Sequence, residues 1–431
     1  SNGRLGATGI SYVGAASDFA ASTGHPAMKA IAPISAVWDT YKEQFYPGGI
    51  LLTKLTTGYD DIMSALDLDD RARLKSYTYF ADPDLAGPAP VDEDPDGAIV
   101  REAVHQHFAN VHMPDFMREF QFRDDHLAHD EAFTTDSFSP HAWSEGIAGD
   151  VAIMAISGWM DGAYANGSIS RFLSMTRNRN RYLVIGPWDH GARVNVSPFR
   201  SRPEPEFPVF ASILRFFDEH LAGIDTGLRK ESPVHVHIMR AEAWLAAAQW
   251  PVADRTTVHY LADGGCLAPE SGTAGHVDYA VDYACATGRN TRYGRLQVRN
   301  VRDYYDDWSS TVAGRLRFVA PALNAPLSIA GHPSVTLNLA SDQADACVFV
   351  YLEDIAPDGS VHYVTEGMLR ALHRGTSEPS RTYATAWPPR EYTRKEARPL
   401  MPGEMVELTF AMLPTAWEFP RGHRIALSIA C

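Results

Sequence analysis

Two unbroken apolar runs, Val151–Ser157 and Arg181–Gly186 (RYLVIG), stand on either side of an amphipathic stretch, Ser168–Met175. A strand that is apolar at every position must be covered on both faces. Only a parallel sheet with helices packed on both sides offers that, so the two runs and the helix between them demand an α/β layer architecture. The same rhythm opens the chain. Arg4–Ile10 reads as a short strand, Gly14–Ser22 as a close-packed helix, and Met28–Pro33 (MKAIAP) as a buried strand ending at proline. Phe207–Ala222 carries apolar residues at helical spacing, and Gly223 is placed to cap it.

Between these α/β stretches the character changes. From Ala36, aromatic and Gly-rich loops lead into helical periodicity over Ile62–Leu74. An acidic, Pro-rich loop (Pro88–Gly97) follows, and then a helical pattern from Ala98 to Phe120. No strand signal is evident here, which predicts a helical insertion. Beyond Leu228 the helices fade. Val234–Met239, Val335–Leu339, Val348–Leu352, His362–Met368, Met405–Leu413 and His423–Ile429 alternate with period two, the pattern of a sandwich or jelly roll. The expected organisation is an α/β core over 1–35 and 151–227, a helical cap over 36–150 and a β jelly roll over 228–431. Both ends read as cut. Ser1-Asn2-Gly3 lacks a signal-peptide pattern, and the last strand stops at Cys431, so an internal piece of a longer protein is expected.

Thirty-eight Lys and Arg against 53 Asp and Glu leave a net charge of −15 with no basic block, which argues against nucleic acid or an anionic membrane as partner. The apolar runs are too short to span a bilayer. Cys266, Cys285, Cys347 and Cys431 show no CxxC spacing, and unpaired thiols are the expectation over a Cys266–Cys285 bridge.

The chemistry concentrates at three turns. Gly9-Ile10-Ser11-Tyr12-Val13-Gly14 puts a serine between a strand end and a helix start, a G-x-S-x-G-like elbow lengthened by one residue. There the Tyr12 N–H and the helix dipole can stabilise an oxyanion; the competing reading is an ordinary N-cap serine. Asp161 follows the buried strand Val151–Ser157, in SGWMDG. His190 lies 29 residues on, after the next buried strand, in GPWDHG. Both fall on loops at strand carboxyl ends, where open α/β sheets hold their sites, and the order Ser…Asp…His is that of the α/β-hydrolase fold. Asp189 competes for the carboxylate role, but adjacent residues seldom aim at one point, which favours Asp161. Trp159, Trp188, Phe45 and Tyr46 are candidates for an apolar acyl or alcohol pocket, with plain core as the alternative.

Several signals carry less. Asp92–Gly97 matches only the first half of a calcium loop, since position 12 is Ala103. The pairs His105/His107 and His235/His237 lack a third ligand, so no metal is expected. His25 reads as a cap or surface residue and His220 as solvent-facing.

These turns, with SNGRLGATGISYVG, HPAMKAIAP, RFFDEHLAGIDTG, PVHVHIMRAEAWLAAAQWP and EFPRGHRIALSIA, resemble the CocE/NonD-type hydrolases, a family that includes cocaine esterases, α-amino-acid ester hydrolases, glutaryl acylases and Xaa-Pro dipeptidyl-peptidases. The likeness runs over nearly the whole chain and is densest at 1–49 and 151–252. It implies an α/β-hydrolase fold incomplete at the N-terminus, with a helical cap and a C-terminal jelly roll. It also implies Ser11 as nucleophile, Asp161 as orienter, His190 as general base and no cofactor. The family's second oxyanion donor, a tyrosine hydroxyl upstream of the serine strand, falls outside this sequence. Where the amino-ester hydrolases carry carboxylates for a substrate ammonium, this chain has Ala163 and Tyr164, which disfavours that subclass. The substrate expected is a small ester or a short peptide, and the resemblance leaves self-association through the β region open. The rival reading is a catalytically silent polypeptide whose jelly roll serves binding or assembly.

Overall fold

The computed structural model describes residues 2–77, 80–82, 91–200, 208–253, 255–284, 286–287, 292–293, 308 and 314–431. Among these, the apolar runs form one twisted sheet. Strand β1 (Leu5–Ile10) pairs in parallel with β2 (Met28–Ile34), joined through helix α1 (Tyr12–Ser22).

Between β2 and the next sheet strand the chain is mainly helical: α2 (Thr53–Asp67), α3 (Arg71–Leu74), α4 (Ala98–Gln106), α5 (Met113–Arg118) and α6 (Pro140–Trp143). Two details correct the sequence reading. The helix expected over Ala98–Phe120 ends at Gln106; a single tighter turn, His107–Ala109, and an extended Asn110 follow it, and a separate helix starts at Met113 with Pro114 in its first turn, where a proline costs no internal hydrogen bond. A short hairpin, β3 (His126–Leu127) with β4 (Asp130–Thr134), stands where no strand was foreseen. The Asp94 carboxylate, at the would-be calcium loop, accepts from the N–H groups of Ile99 and Val100 and so caps α4.

The sheet resumes with β5 (Ala152–Gly158), buried at every residue, then α7 (Tyr164–Ser174) and β6 (Arg181–Gly186). Helix α8 (Val209–Phe217) continues into a wider turn that Gly223 closes at φ +76°. His220 is a correction. It is buried between Tyr182 and Phe216, and burial pushes its imidazole down to about 4. Strands β7 (Val234–Ile238) and β8 (Ala243–Ala247), read from sequence as the start of the β region, instead extend the α/β sheet. Strand β7 runs parallel to β6 and β8 antiparallel to β7, giving the order β1-β2-β5-β6-β7-β8.

The C-terminal part is β-rich. Strands β9 (Tyr260–Ala262), β10 (Cys266–Ala268) and β11 (Leu316–Val319) precede β12 (Leu327–Gly331), β13 (Ser334–Leu339), β14 (Cys347–Ile355), β15 (Val361–Arg370), β16 (Val406–Ala411), β17 (Thr415–Phe419) and β18 (Arg424–Ala430). One sheet runs β15-β14-β18-β11-β10-β9, and β12 with β17 and β13 with β16 form two-stranded ladders. The largest apolar cluster is shared between the halves. Trp159, Ile169 and Leu183 of the α/β part pack into it with Val350, Leu408 and Trp417. Cys266, Cys347 and Cys431 are free thiols, and Cys285 lies outside the described residues.

Charges also join the parts. Arg123 of the helical segment contacts Asp39 below β2, Asp136 beside it and Glu391 of the C-terminal part, at 3.3, 2.7 and 3.1 Å. Glu43, wholly buried nearby, accepts from the Trp38 N–H. Burial, and then the neighbouring Asp39 charge, push its carboxyl up to about 8.

Candidate active site

At the end of β1 the chain turns into α1 through Ser11, whose backbone sits at φ +65°, ψ −131°. For an L-residue that conformation costs on the order of 1–3 kcal/mol and persists only when its surroundings enforce it. Two glycines make it feasible. A Cβ on Gly9 would lie 2.5 Å from Val13 Cγ1, and one on Gly14 would lie 2.7 Å from the Gly9 carbonyl oxygen and 2.9 Å from Ala36 Cβ. Strand and helix therefore cross at backbone contact. The Ser11 N–H donates to Ile34 O at 3.0 Å, tying the elbow to β2. Its hydroxyl makes no capping hydrogen bond, so the ordinary N-cap reading does not describe it. The first residue of the helix is Tyr12, 71% exposed, whose N–H belongs to the set a helix leaves without internal acceptors.

Strands β5 and β6 end in register at Gly158 and Gly186. Both glycines are required by Trp188. A Cβ at 158 would fall 2.1 Å from the Trp188 carbonyl oxygen, and one at 186 would fall 2.4 Å from its ring. The indole folds back over the sheet edge against Trp244 and turns the following residues outward. Asp189 closes their loop. It accepts from Ala192 N–H through its carbonyl and from Val194 N–H through its carboxylate, and burial raises its carboxyl above the usual range. His190 is thus presented with its side chain 14% exposed, and its Nδ1–H donates to Asp161 Oδ1 at 2.8 Å. The Asp161 carboxylate is completely buried, and its Oδ2 has no partner among the described residues.

Three contacts bring the turns together. Gly191 faces Ile10, the residue before Ser11, so closely that a Cβ there would lie 3.1 Å from Ile10 Cγ2. The Gly191 N–H donates to Ser35 Oγ at 3.0 Å, and Ser35, just past β2, holds a left-handed φ of +48°. The Tyr164 ring lies 5.4 Å from the imidazole and packs with Ala15 and Val37 beside the elbow. The arrangement is an unspent hydroxyl on a strained turn, next to a loop that presents an imidazole oriented by a buried carboxylate.

The aromatic residues expected to line a pocket are a correction. Trp188 is 0% exposed and Trp159 1%, the latter donating its indole N–H to His237 O within the main core. Phe45 and Tyr46 are buried in the cluster beneath the helical segment, and the Tyr46 hydroxyl donates to Met117 O. All four are large enough to complete a core, and the structure uses them so. One histidine of each pair meets a backbone carbonyl, His107 that of Asp67 and His235 that of Ser232. Among the described residues, no group of three or more His, Cys, Asp and Glu side chains could hold a metal ion. Sequence reasoning missed Ser35 and gave Tyr164 no part beside the imidazole; neither belongs to a local motif that could have marked it.

Two family models match this chain: X-Pro dipeptidyl-peptidase (S15 family) over residues 1–192, and X-Pro dipeptidyl-peptidase C-terminal non-catalytic domain over 226–431. A Mycobacterium bovis protein named as a serine esterase is 34% identical over 449 residues, spanning all of this chain and 71% of its own length. Cocaine esterase of a Rhodococcus species is 26% identical over 453 residues, spanning all of this chain and 73% of that protein. Among solved structures, an α-amino acid ester hydrolase superposes with a TM-score of 0.65 at 20% identity, covering all of this chain and 69% of that one. A CocE/NonD family hydrolase from Staphylococcus aureus gives 0.63 at 16%, covering 65% of that chain. These two bear on the fold alone.

Proposed function

The chain belongs to the CocE/NonD and X-Pro dipeptidyl-peptidase (S15) family of hydrolases, and from that premise we propose that it cleaves a carboxylic ester through an acyl-enzyme on Ser11. The observation that carries this reading is the strained, uncapped Ser11 beside the imidazole that Asp161 orients. Ser11 Oγ attacks the acyl carbonyl while His190 Nε2 takes its proton. Asp161 holds Nδ1–H and stabilises the imidazolium that forms. The tetrahedral oxyanion is met by the Tyr12 N–H at the positive end of α1. Collapse expels the alcohol, which leaves with the imidazolium proton. Water activated by the same imidazole then attacks the acyl-enzyme and releases the acid, restoring Ser11.

An ester rather than an Xaa-Pro amide is supported by relatives named as esterases. Neither Ala163 nor Tyr164, two and three residues after Asp161, carries a charge that would reward a substrate ammonium. The test sets 4-nitrophenyl esters of short and aromatic acids against dipeptidyl Xaa-Pro 4-nitroanilides. The reading expects ester turnover lost in Ser11→Ala. Release of nitroaniline alone, with the esters untouched, would overturn it in favour of a peptidase.

A further inference from the structure

Asp161 is aimed by its backbone. Its carboxylate spends one oxygen on His190, and the other has no partner among the described residues, so no second side-chain bond fixes its direction. What fixes it is the tight turn after β5, in which the Asp161 N–H reaches back to Gly158 O and Gly162 takes φ +52°. The carbonyls of Trp159 and Gly162, on either side of Asp161, both accept from one guanidinium group, Nη2 of Arg292, the second at 3.1 Å. Arg292 lies in the stretch matched by the C-terminal family model, is buried, and donates through Nη1 to the Tyr363 hydroxyl of β15 at 2.9 Å. Tyr363 is itself fully buried and packs edge-on against Trp308. Burial works against the guanidinium's charge, but Tyr363, Glu366 and Tyr293 around it outweigh that and favour the charged form, so the hydrogen bonds it donates are charge-assisted.

We propose that Arg292 is a positioning residue for the hydrolysis. It anchors the 159–162 turn to β15 and so keeps Asp161 directed at His190 Nδ1, which gives the C-terminal half a share in the active site. This role rests on the Ser11–His190–Asp161 reading above. It predicts a defect in catalysis rather than in binding, because a misaimed carboxylate disturbs the imidazole without touching the substrate.

The test follows the saturation kinetics of labelling by a fluorophosphonate probe in the full chain, in Arg292→Met, Arg292→Lys and Tyr363→Phe, and in each of these combined with Asp161→Asn. Arg292→Met should lower the maximal labelling rate by about 100-fold, the scale of a misplacement near 1 Å, and leave the half-saturating concentration unchanged. Arg292→Lys, still able to reach one carbonyl, should recover part of the loss. In the Asp161→Asn background all three changes should add little, since they act through the group already removed. Equal labelling of parent and folded Arg292→Met would overturn the proposal, as would the same fold-loss with and without Asp161. Should Arg292→Met not fold, Arg292→Lys and Tyr363→Phe decide by the same criterion. A parent chain that takes no label overturns the functional reading itself, whereas a labelled parent with an unaffected Arg292→Met overturns the role of Arg292 alone.

Discussion

The same contact occurs in both parts of the molecule. In the α/β part His190 donates through Nδ1 to buried Asp161 at 2.8 Å, and in the β-rich part His423 donates through Nδ1 to buried Asp354 at 2.7 Å. Their surroundings set them apart. His190 sits on a loop at the sheet edge, its other ring nitrogen without a partner among the described residues, beside the strained Ser11 turn. His423 is 7% exposed and its Nε2 faces an Arg240 guanidinium nitrogen at 3.4 Å. Asp354 also accepts from the Trp417 indole at 3.2 Å. Both ring nitrogens of His423 and both carboxylate oxygens of Asp354 thus have partners, and the bond between the two residues ties the turn before β18 to β14. An Asp–His hydrogen bond by itself therefore says little about chemistry. What distinguishes a base is a free second nitrogen with a hydroxyl and a path to water beside it.

The largest effects should separate the two pairs. His190→Ala should lower ester turnover by about 10⁴- to 10⁶-fold, the scale seen when a triad base is removed, and should also cost stability, because buried Asp161 loses the partner of its Oδ1. His423→Ala should cost about 3 kcal/mol of stability, because Asp354 keeps its burial and loses its main partner, but with turnover per folded molecule retained. Denaturant titration beside initial rates reads both. A His423 variant that stays stable but is inactive would break the comparison.

Next in size is a pH effect that belongs to neither pair. The Glu43 carboxyl is raised from 4.5 to about 8 by burial and by Asp39. Below about pH 4.5 it is protonated in folded and unfolded chains alike, and its contribution to stability is complete. As pH rises toward 8 the unfolded chain releases this proton and the folded one retains it, so stability falls, by about 3 kcal/mol across the window. Glu43→Gln should remove most of that decline. A smaller one of the same sign should remain from Asp18, whose carboxyl is raised to about 6. Urea midpoints at pH 5, 6, 7 and 8 for the two proteins check this, and parallel curves would refute it.

The smallest effect concerns the His190 loop. Ser35→Ala leaves the buried Gly191 N–H without its acceptor and should cost about 1–2 kcal/mol. Turnover should fall far less than in His190→Ala, because the loop keeps the Asp189 bonds to Ala192 and Val194. Thermal melts and rates of the one variant read both quantities.

What was legible in the sequence was what is local. The glycines around Ser11 and those ending β5 and β6 are written into hexapeptides, because backbone contact at a turn demands them at fixed spacing. Alternation foretold β13, β14, β15, β16 and β18 of the β-rich part but not β9–β12 or β17. It misassigned β7, whose VHVHI pattern arises because it lies near the end of the α/β sheet, between parallel β6 and antiparallel β8. The non-local parts were illegible. Ser35 and Arg292 act on turns that are remote in sequence, 156 residues away for Ser35 and 130 for Arg292 at Gly162, and no neighbour marks them. Trp159 and Trp188 looked like pocket walls because an aromatic side chain in a functional loop gives no sign of whether its ring faces substrate or core. His220 looked exposed among charged neighbours, yet it fills a gap between Tyr182 and Phe216.

The central claim is that Ser11 is an activated nucleophile, and active-site labelling tests it without knowledge of the substrate. The chain and its Ser11→Ala variant would be treated with a fluorophosphonate and the modified peptide located by mass spectrometry. The account predicts one adduct on the parent, at Ser11, and none on the variant. A folded parent that takes no label, or an adduct on another serine that survives in Ser11→Ala, would contradict it.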